Sequence, residues 1–197
     1  MYDRMSKDIL LVDNFDSFTY NIVDQLRVNG NNVIIYRNTV SLHIILSALS
    51  RLNKPIVLLS PGPGKPKNSG CILKLLQEII GKIPIIGICL GHQAIVECYG
   101  GIVEYSGTIV HGKTSYIYHD QKDMFTDLPN PFLVARYHSL VCKNIPKNLV
   151  INAFFNDMVM AVRSNQDKVC GFQFHPESIL TTYGSQLLNN TLHWIAS

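Results

Sequence analysis

The sequence predicts a doubly wound α/β fold, a mostly parallel sheet with flanking helices that carries a small antiparallel extension. Three observations predict it. Over roughly the first hundred residues, short apolar runs alternate with helical periods, the rhythm of parallel βαβ units with right-handed crossovers. One run, Pro84-Ile85-Ile86, leads without a linker into Gly87-Ile88-Cys89-Leu90-Gly91, which has the strand-to-helix spacing of a nucleophile elbow with sulfur in place of oxygen. Beyond Gly101 the runs shorten and lose their intervening helices, the texture of antiparallel strands.

The first strand is Ile9 to Val12, followed by Asp13-Asn14-Phe15-Asp16-Ser17 and a helical pattern from Phe18 to Asn29. Ser17 or Asp16 is placed to cap that helix and Gly30 to close it. A strand over Val33 to Tyr36 precedes a helix over Ser41 to Leu52, and a third strand, Ile56 to Ser60, runs into Pro61-Gly62-Pro63-Gly64-Lys65-Pro66. Proline and glycine at that density fix a loop. It is not a phosphate loop, because the G-x-x-x-x-G-K-[ST] spacing is missing and two of its residues lack an N–H. A plain turn and a ligand-facing loop both remain open.

A helix presenting Ile72, Leu73, Leu76, Ile79 and Ile80 then leads to the buried elbow strand, and Ile95, Val96 and Tyr99 give the elbow helix its core face before Gly100-Gly101 ends it. The later strands are Ile102 to Tyr105, Thr108 to Val110, Ser115 to Tyr118, Phe132 to Tyr137 and Val150 to Phe155. Asn156-Asp157 turns the last of these tightly into Met158 to Val162. These strands either extend the main sheet or form a small flanking one. Val169 to Phe174 is a further strand, ending at His175-Pro176-Glu177-Ser178, and a terminal helix over Tyr183 to Ile195 turns Leu187, Leu188, Leu192 and Ile195 to the core.

Cys89 at an elbow projects its sulfur toward the free N–H groups of the following helix, which stabilise negative charge there. The plainer reading of a free cysteine is a small buried hydrophobe, and the elbow alone does not decide between them. Ligands in such sheets bind beyond the carboxyl ends of the strands, and Gly62, Cys89 and His175 all follow strands directly. A thiolate that attacks an amide needs a proton carrier for the leaving nitrogen, and histidine suits that task. A histidine before proline is by itself more often structural, but Glu177, two residues on, is a reasonable group to orient it. His92 and His138 have no such carboxylate nearby and read as packing groups. The N–H groups of Leu90 and Gly62 are placed to form an oxyanion hole.

At 197 residues and 47% hydrophobic, the chain is read as one domain over 1–197, organised from about residue 8, with Met5 an alternative start. A net charge of +3 without basic runs or basic-aromatic interleaving speaks against a nucleic-acid partner. The five cysteines are scattered and free of C-x-x-C, which supports neither a disulfide framework nor a zinc site and fits a reducing cytoplasm. No stretch reads as a signal peptide or a membrane span.

Together Pro61-Gly62-Pro63-Gly64, Gly87-Ile88-Cys89-Leu90-Gly91-His92-Gln93 and His175-Pro176-Glu177 resemble, in this order, the class I (triad-type) glutamine amidotransferases, over about Ile9 to Trp194. Asp13-Asn14-Phe15-Asp16-Ser17-Phe18-Thr19 and Arg136-Tyr137-His138-Ser139-Leu140 are similar to the glutaminase subunits that serve chorismate-using synthases. The segment Val169 to Thr182 is most similar to those of the anthranilate synthase component II group. The resemblance implies a flavodoxin-like fold and a triad of Cys89, His175 and Glu177. It also implies a glutamine site walled by Gly62, Pro63 and Gly64 on one side and by Gln93, Ser139 and Leu140 on the other. It further implies glutamine as substrate and a hetero-oligomer with anthranilate synthase component I, the chorismate-binding subunit. No metal or organic cofactor is expected in this chain, and the magnesium such complexes use is expected on the partner. A glutaminase subunit of aminodeoxychorismate synthase, one serving both pathways, a regulatory binding subunit and a stand-alone thiol hydrolase are the alternatives. The loop reads Pro61-Gly62-Pro63-Gly64 rather than the Pro-Gly-Pro-Cys that resembles the enteric folate type.

Overall fold

The computed structural model describes residues 6–107 and 111–197. The chain opens with β1 (Asp8–Asp13), α1 (Thr19–Val28), β2 (Asn32–Arg37), α2 (Leu42–Leu49) and β3 (Ile56–Leu59). It continues with α3 (Ile72–Ile79), β4 (Ile85–Ile88) and α4 (Leu90–Cys98). The strands β5 (Ile102–Tyr105), β6 (Lys113–His119), β7 (Phe132–Arg136) and β8 (Leu140–Lys143) follow. Last come β9 (Val150–Phe155), β10 (Met158–Ser164), β11 (Val169–Phe172) and α5 (Gly184–Ala196). The expected strand Thr108 to Val110 lies outside the described residues.

Among the described residues, a nine-stranded sheet runs β2-β1-β3-β4-β11-β10-β9-β6-β7. The strands from β2 to β11 pair in parallel, whereas β10, β9, β6 and β7 continue the sheet antiparallel. Both readings of the later strands therefore apply, because β5 and β8 form a separate two-stranded sheet. In β1, Ile9 and Leu11 face a core shared with α1 and α5, while Leu10 and Val12 face one shared with α2, α3 and α4. That two-sided burial is why the first strands read as continuous apolar runs rather than alternating ones.

Several boundaries differ from the sequence reading, each for a local reason. No side chain caps α1. Asp16 instead accepts the Phe18 N–H at 2.8 Å on Oδ1 and the Thr19 N–H at 3.2 Å on its carbonyl. Gly30 does close the helix, at φ +84°. The second helix stops at Leu49, where Arg51 and Leu52 bond three residues back instead of four. The strand expected to reach Phe174 ends its ladder at Phe172, although the Gln173 N–H still bonds the Met160 carbonyl at 2.9 Å. Strand β8 was not expected from the sequence, because only its pairing with β5 makes Leu140–Lys143 a strand.

Candidate active site

The site lies beyond the carboxyl ends of β1, β3, β4 and β11. At the end of β4 the elbow is tight enough that only glycine fits on either side. A Cβ on Gly87 would stand 2.5 Å from the Gly91 backbone, and one on Gly91 would stand 2.5 Å from the Leu59 carbonyl oxygen. Between them Cys89 adopts φ 51° and ψ −100°, a strained conformation for a residue with a side chain. It is held by its N–H on the Phe172 carbonyl at 2.7 Å and by its own carbonyl, which accepts the Gln93 N–H at 3.0 Å. The sulfur stands at the start of α4 and is shielded from bulk water, with Cys89 only 6% exposed.

His175 follows β11 and is clamped from several sides. Its N–H bonds the Ala135 carbonyl at 3.1 Å, and its carbonyl accepts the Thr181 hydroxyl at 2.6 Å. The imidazole packs edge-on between Tyr137, at 5.0 Å between ring centroids, and Phe18, at 5.4 Å. Its Nδ1 is 2.6 Å from Oε1 of Glu177, and both side chains are buried. Burial alone pulls the imidazole pKa down, but interaction with the Cys89 sulfur and the Glu177 carboxylate outweighs it and pushes the value up to about 10. Nε2 completes no fully formed hydrogen bond among the described residues, although the sulfur is near enough to act on it. Catalytic hydrogen bonds commonly tighten only when substrate arrives.

The other histidines of the site are electrostatically different. Burial, together with its neighbour His138, brings His92 down to about 3. His138 falls to about 4, first through burial and then through the charges of Arg136 and His175. Its Nδ1 lies 2.9 Å from the Leu140 carbonyl, and a Cβ on Gly171 would sit 2.7 Å from Nδ1 of His92, so both rings are packed in place. Of the three, only His175 keeps its second proton at neutral pH.

The Pro61-Gly62-Pro63-Gly64 loop is pressed against the elbow helix. A Cβ on Gly62 would meet Asn14 at 2.5 Å and the Leu90 side chain at 2.8 Å. The two expected oxyanion donors, Gly62 and Leu90, are thus neighbours. Pro63 and Gly64 lie on the exposed side of the loop, while Gln93 is buried in the first turns of α4. Ser139 and Leu140 are half-buried at the entrance to β8, where the Ser139 carbonyl accepts the Ser106 N–H at 2.8 Å.

Two supports escaped the sequence reading. Asn14, buried after β1, accepts the Asn38 amide at 3.0 Å and donates its own amide to the Ser60 carbonyl at 2.8 Å, which fixes the start of the glycine loop. Gln173, fully buried, contacts both Gln93 and the Cys89 sulfur. The available signal was a polar residue inside the apolar run Val169 to Phe174.

The family profile of Glutamine amidotransferase class-I matches residues 10–194, nearly the whole chain. The chain belongs to the class-I glutamine amidotransferase family. Among its relatives, "Anthranilate synthase component 2" of Buchnera aphidicola subsp. Schizaphis graminum is 62% identical over 187 residues, covering 95% of each chain. The protein of the same name from Vibrio parahaemolyticus is 54% identical, again over 95% of each. A crystal structure of a glutamine amidotransferase from Thermotoga maritima aligns with a TM-score of 0.78 at 15% identity, covering 98% of this chain and 100% of that one, a likeness of fold. No helix among the described residues of this amidotransferase is long and apolar enough to cross a membrane.

Proposed function

We propose that this amidotransferase is the glutaminase component of an anthranilate synthase, supplying ammonia from glutamine to a chorismate-binding component I in tryptophan biosynthesis. The observation that carries the proposal is the pair of relatives named anthranilate synthase component 2, at 62% and 54% identity over 95% of the chain. The geometry around Cys89, His175 and Glu177 supports the chemistry.

In this reading the Cys89 sulfur, as thiolate, attacks the side-chain carboxamide of glutamine, and a C–S bond forms. The oxygen of the tetrahedral adduct takes hydrogen bonds from the Gly62 and Leu90 N–H groups, where losing one such donor costs ~2.7–4 kcal/mol. As the C–N bond breaks, imidazolium His175 passes its Nε2 proton to the leaving nitrogen, and ammonia departs. Water then attacks the γ-glutamyl thioester, giving a proton back to His175, and glutamate leaves as the C–S bond breaks. Glu177 holds the imidazole by Nδ1 throughout.

Gly62, Pro63, Gly64, Gln93, Ser139 and Leu140 are proposed to line the glutamine site. These steps call for no cofactor in this chain, and magnesium would act on the partner. The protein is proposed to work in the cytoplasm as one part of a hetero-oligomer.

The test supplies the purified chain with glutamine, chorismate and either an anthranilate synthase component I or an aminodeoxychorismate synthase partner, then identifies the product. Anthranilate formation with the first partner is expected. Preferential support of aminodeoxychorismate would overturn the assignment of the acceptor while leaving the glutaminase chemistry standing.

A further inference from the structure

The buried side chain of Gln173 closes a ring with the elbow. Its Nε2 lies 3.8 Å from the Cys89 sulfur, within hydrogen-bonding reach of sulfur, and its Oε1 accepts the Gln93 side-chain amide at 3.2 Å. Gln93 in turn donates its backbone N–H to the Cys89 carbonyl at 3.0 Å. The Gln173 backbone is pinned separately by the Met160 carbonyl at 2.9 Å, and Gln173 and Gln93 are 0% and 3% exposed. Bulk water therefore does not reach either amide contact. A carboxamide has one donor end and one acceptor end. Because Gln93 occupies the acceptor end, the donor end is turned to the sulfur.

We infer that Gln173 is a positioning residue for the nucleophile, its amide N–H holding and stabilising the charged Cys89 sulfur, with Gln93 fixing the orientation of that amide. The inference rests on Cys89 being the nucleophile, as proposed above. The groups acting on the sulfur are His175 beyond β11, with Glu177 behind it, Cys142 of β8, and the amide of Gln173. His175 is committed to moving a proton during the reaction. Gln173 carries no exchangeable charge, so its contribution persists through both the attack and the hydrolysis of the thioester. The same ring couples substrate binding to reactivity, because Gln93 is one of the proposed glutamine contacts.

Two variants separate the ends of the amide. Gln173→Met keeps the volume and removes both hydrogen bonds, whereas Gln173→Glu retains an acceptor for Gln93 and loses the donor to sulfur. The rate of Cys89 alkylation by iodoacetamide at fixed pH reads the sulfur directly and needs neither glutamine nor the partner. Hydrogen bonds to charged groups are worth ~1.5–3 kcal/mol, and losing one cuts the thiolate fraction while making each thiolate more nucleophilic, so both variants should slow alkylation at neutral pH by about 3- to 15-fold and lower kcat more than they raise KM. Ionised Gln173→Glu should be at least as slow as Gln173→Met, because it adds negative charge beside the sulfur, whereas its protonated form restores a donor.

A role in packing alone predicts that Gln173→Met, which fills the same volume, alkylates as fast as the unaltered protein. Thermal melts ensure that only folded protein is compared, and if Gln173→Glu does not fold, Gln173→Met decides alone. Unchanged alkylation and kcat in folded Gln173→Met would overturn the inference. Loss of glutaminase activity in Cys89→Ser tests the underlying reading separately. If Cys89→Ser still hydrolyses glutamine, it is the nucleophile assignment that fails.

Discussion

Glu177 lies only two residues beyond His175, yet its carboxylate meets Nδ1 of that histidine at 2.6 Å with both side chains buried. The chain turns sharply to allow this, with the Ser178 N–H returning to the His175 carbonyl at 3.3 Å. The acid and its histidine therefore form one local unit anchored to β7 through Ala135, and Cys89 arrives from a different strand.

In the proposed reaction the proton carrier should matter more than its orienting group. His175→Ala is expected to lower glutaminase kcat by about 10²- to 10⁴-fold. Glu177→Gln, which keeps the shape but loses the charge, should cost less. Steady-state kinetics on the two variants at equal folded content checks the order. A Glu177→Gln enzyme slower than His175→Ala would reverse the roles.

The raised pKa of His175 also has a consequence for stability. A histidine at about 10 in the folded protein, against about 6.5 in an unfolded chain, binds more protons folded than unfolded between those values. Its stabilising contribution is complete below about pH 6.5 and is lost as pH rises through about 10. Urea unfolding from pH 6.5 to 7.5 should therefore show stability falling with pH, less in His175→Gln, to the extent that His175 takes its proton from solvent. A proton passed from the Cys89 thiol leaves the pair's total, and the slope, unchanged. That window stays below the range in which buried Cys142 and Cys170, with thiol pKa values raised by burial, add a slope of the same sign. Equal slopes in the two proteins would show that the pair takes up no proton from solvent on folding, as a proton passed from Cys89 to His175 requires.

What the sequence made legible follows from how local each signal is. The elbow is written in Gly87 and Gly91 around Cys89, and the His175-Glu177 pair is adjacent in the chain, so both could be read from spacing. The parallel core was legible because β1 from Ile9 to Val12, β3 and β4 are buried on both faces and read as continuous apolar runs. Strand β8 and the contacts of Asn14 and Gln173 were not, since each depends on partners far away in sequence: Asn14 bonds Ser60, and Gln173 reaches back to Cys89. The aromatic clamp of Phe18 and Tyr137 on His175 likewise joins the loop after β1 to the end of β7.

The close packing of the elbow predicts a steric effect distinct from any loss of chemistry. Gly91→Ala would place a methyl group 2.5 Å from the Leu59 carbonyl oxygen and 2.7 Å from its Cβ. The atoms it would meet are the Leu59 carbonyl and Cβ of buried strand β3, which leave little room to relax. Overpacking of this kind typically costs ~1–3 kcal/mol. Thermal unfolding should show a lower Tm, with glutaminase activity falling because α4 and Cys89 are pushed away from Gly62. A normal Tm together with normal activity would show that the strand and helix separate without penalty.

The sharpest separation of this chain's chemistry from that of its proposed partner comes from removing one atom's reactivity. In the proposed complex, Cys89 forms the thioester, while chorismate is bound and converted on the other subunit. Cys89→Ser changes sulfur to oxygen at a position that is 6% exposed, within an elbow whose backbone is fixed by Phe172 and Gln93, so assembly with the partner should survive. A serine hydroxyl lacks the ready ionisation of a thiol, and the Cys89→Ser complex should lose glutamine-dependent synthesis to background. Added ammonium should still support product formation at the unaltered rate, because it bypasses this chain's site. Loss of both activities, with the complex intact by gel filtration, would mean that Cys89 serves the partner's chemistry or its conformation as well. Retention of glutamine-dependent synthesis would place the nucleophile elsewhere.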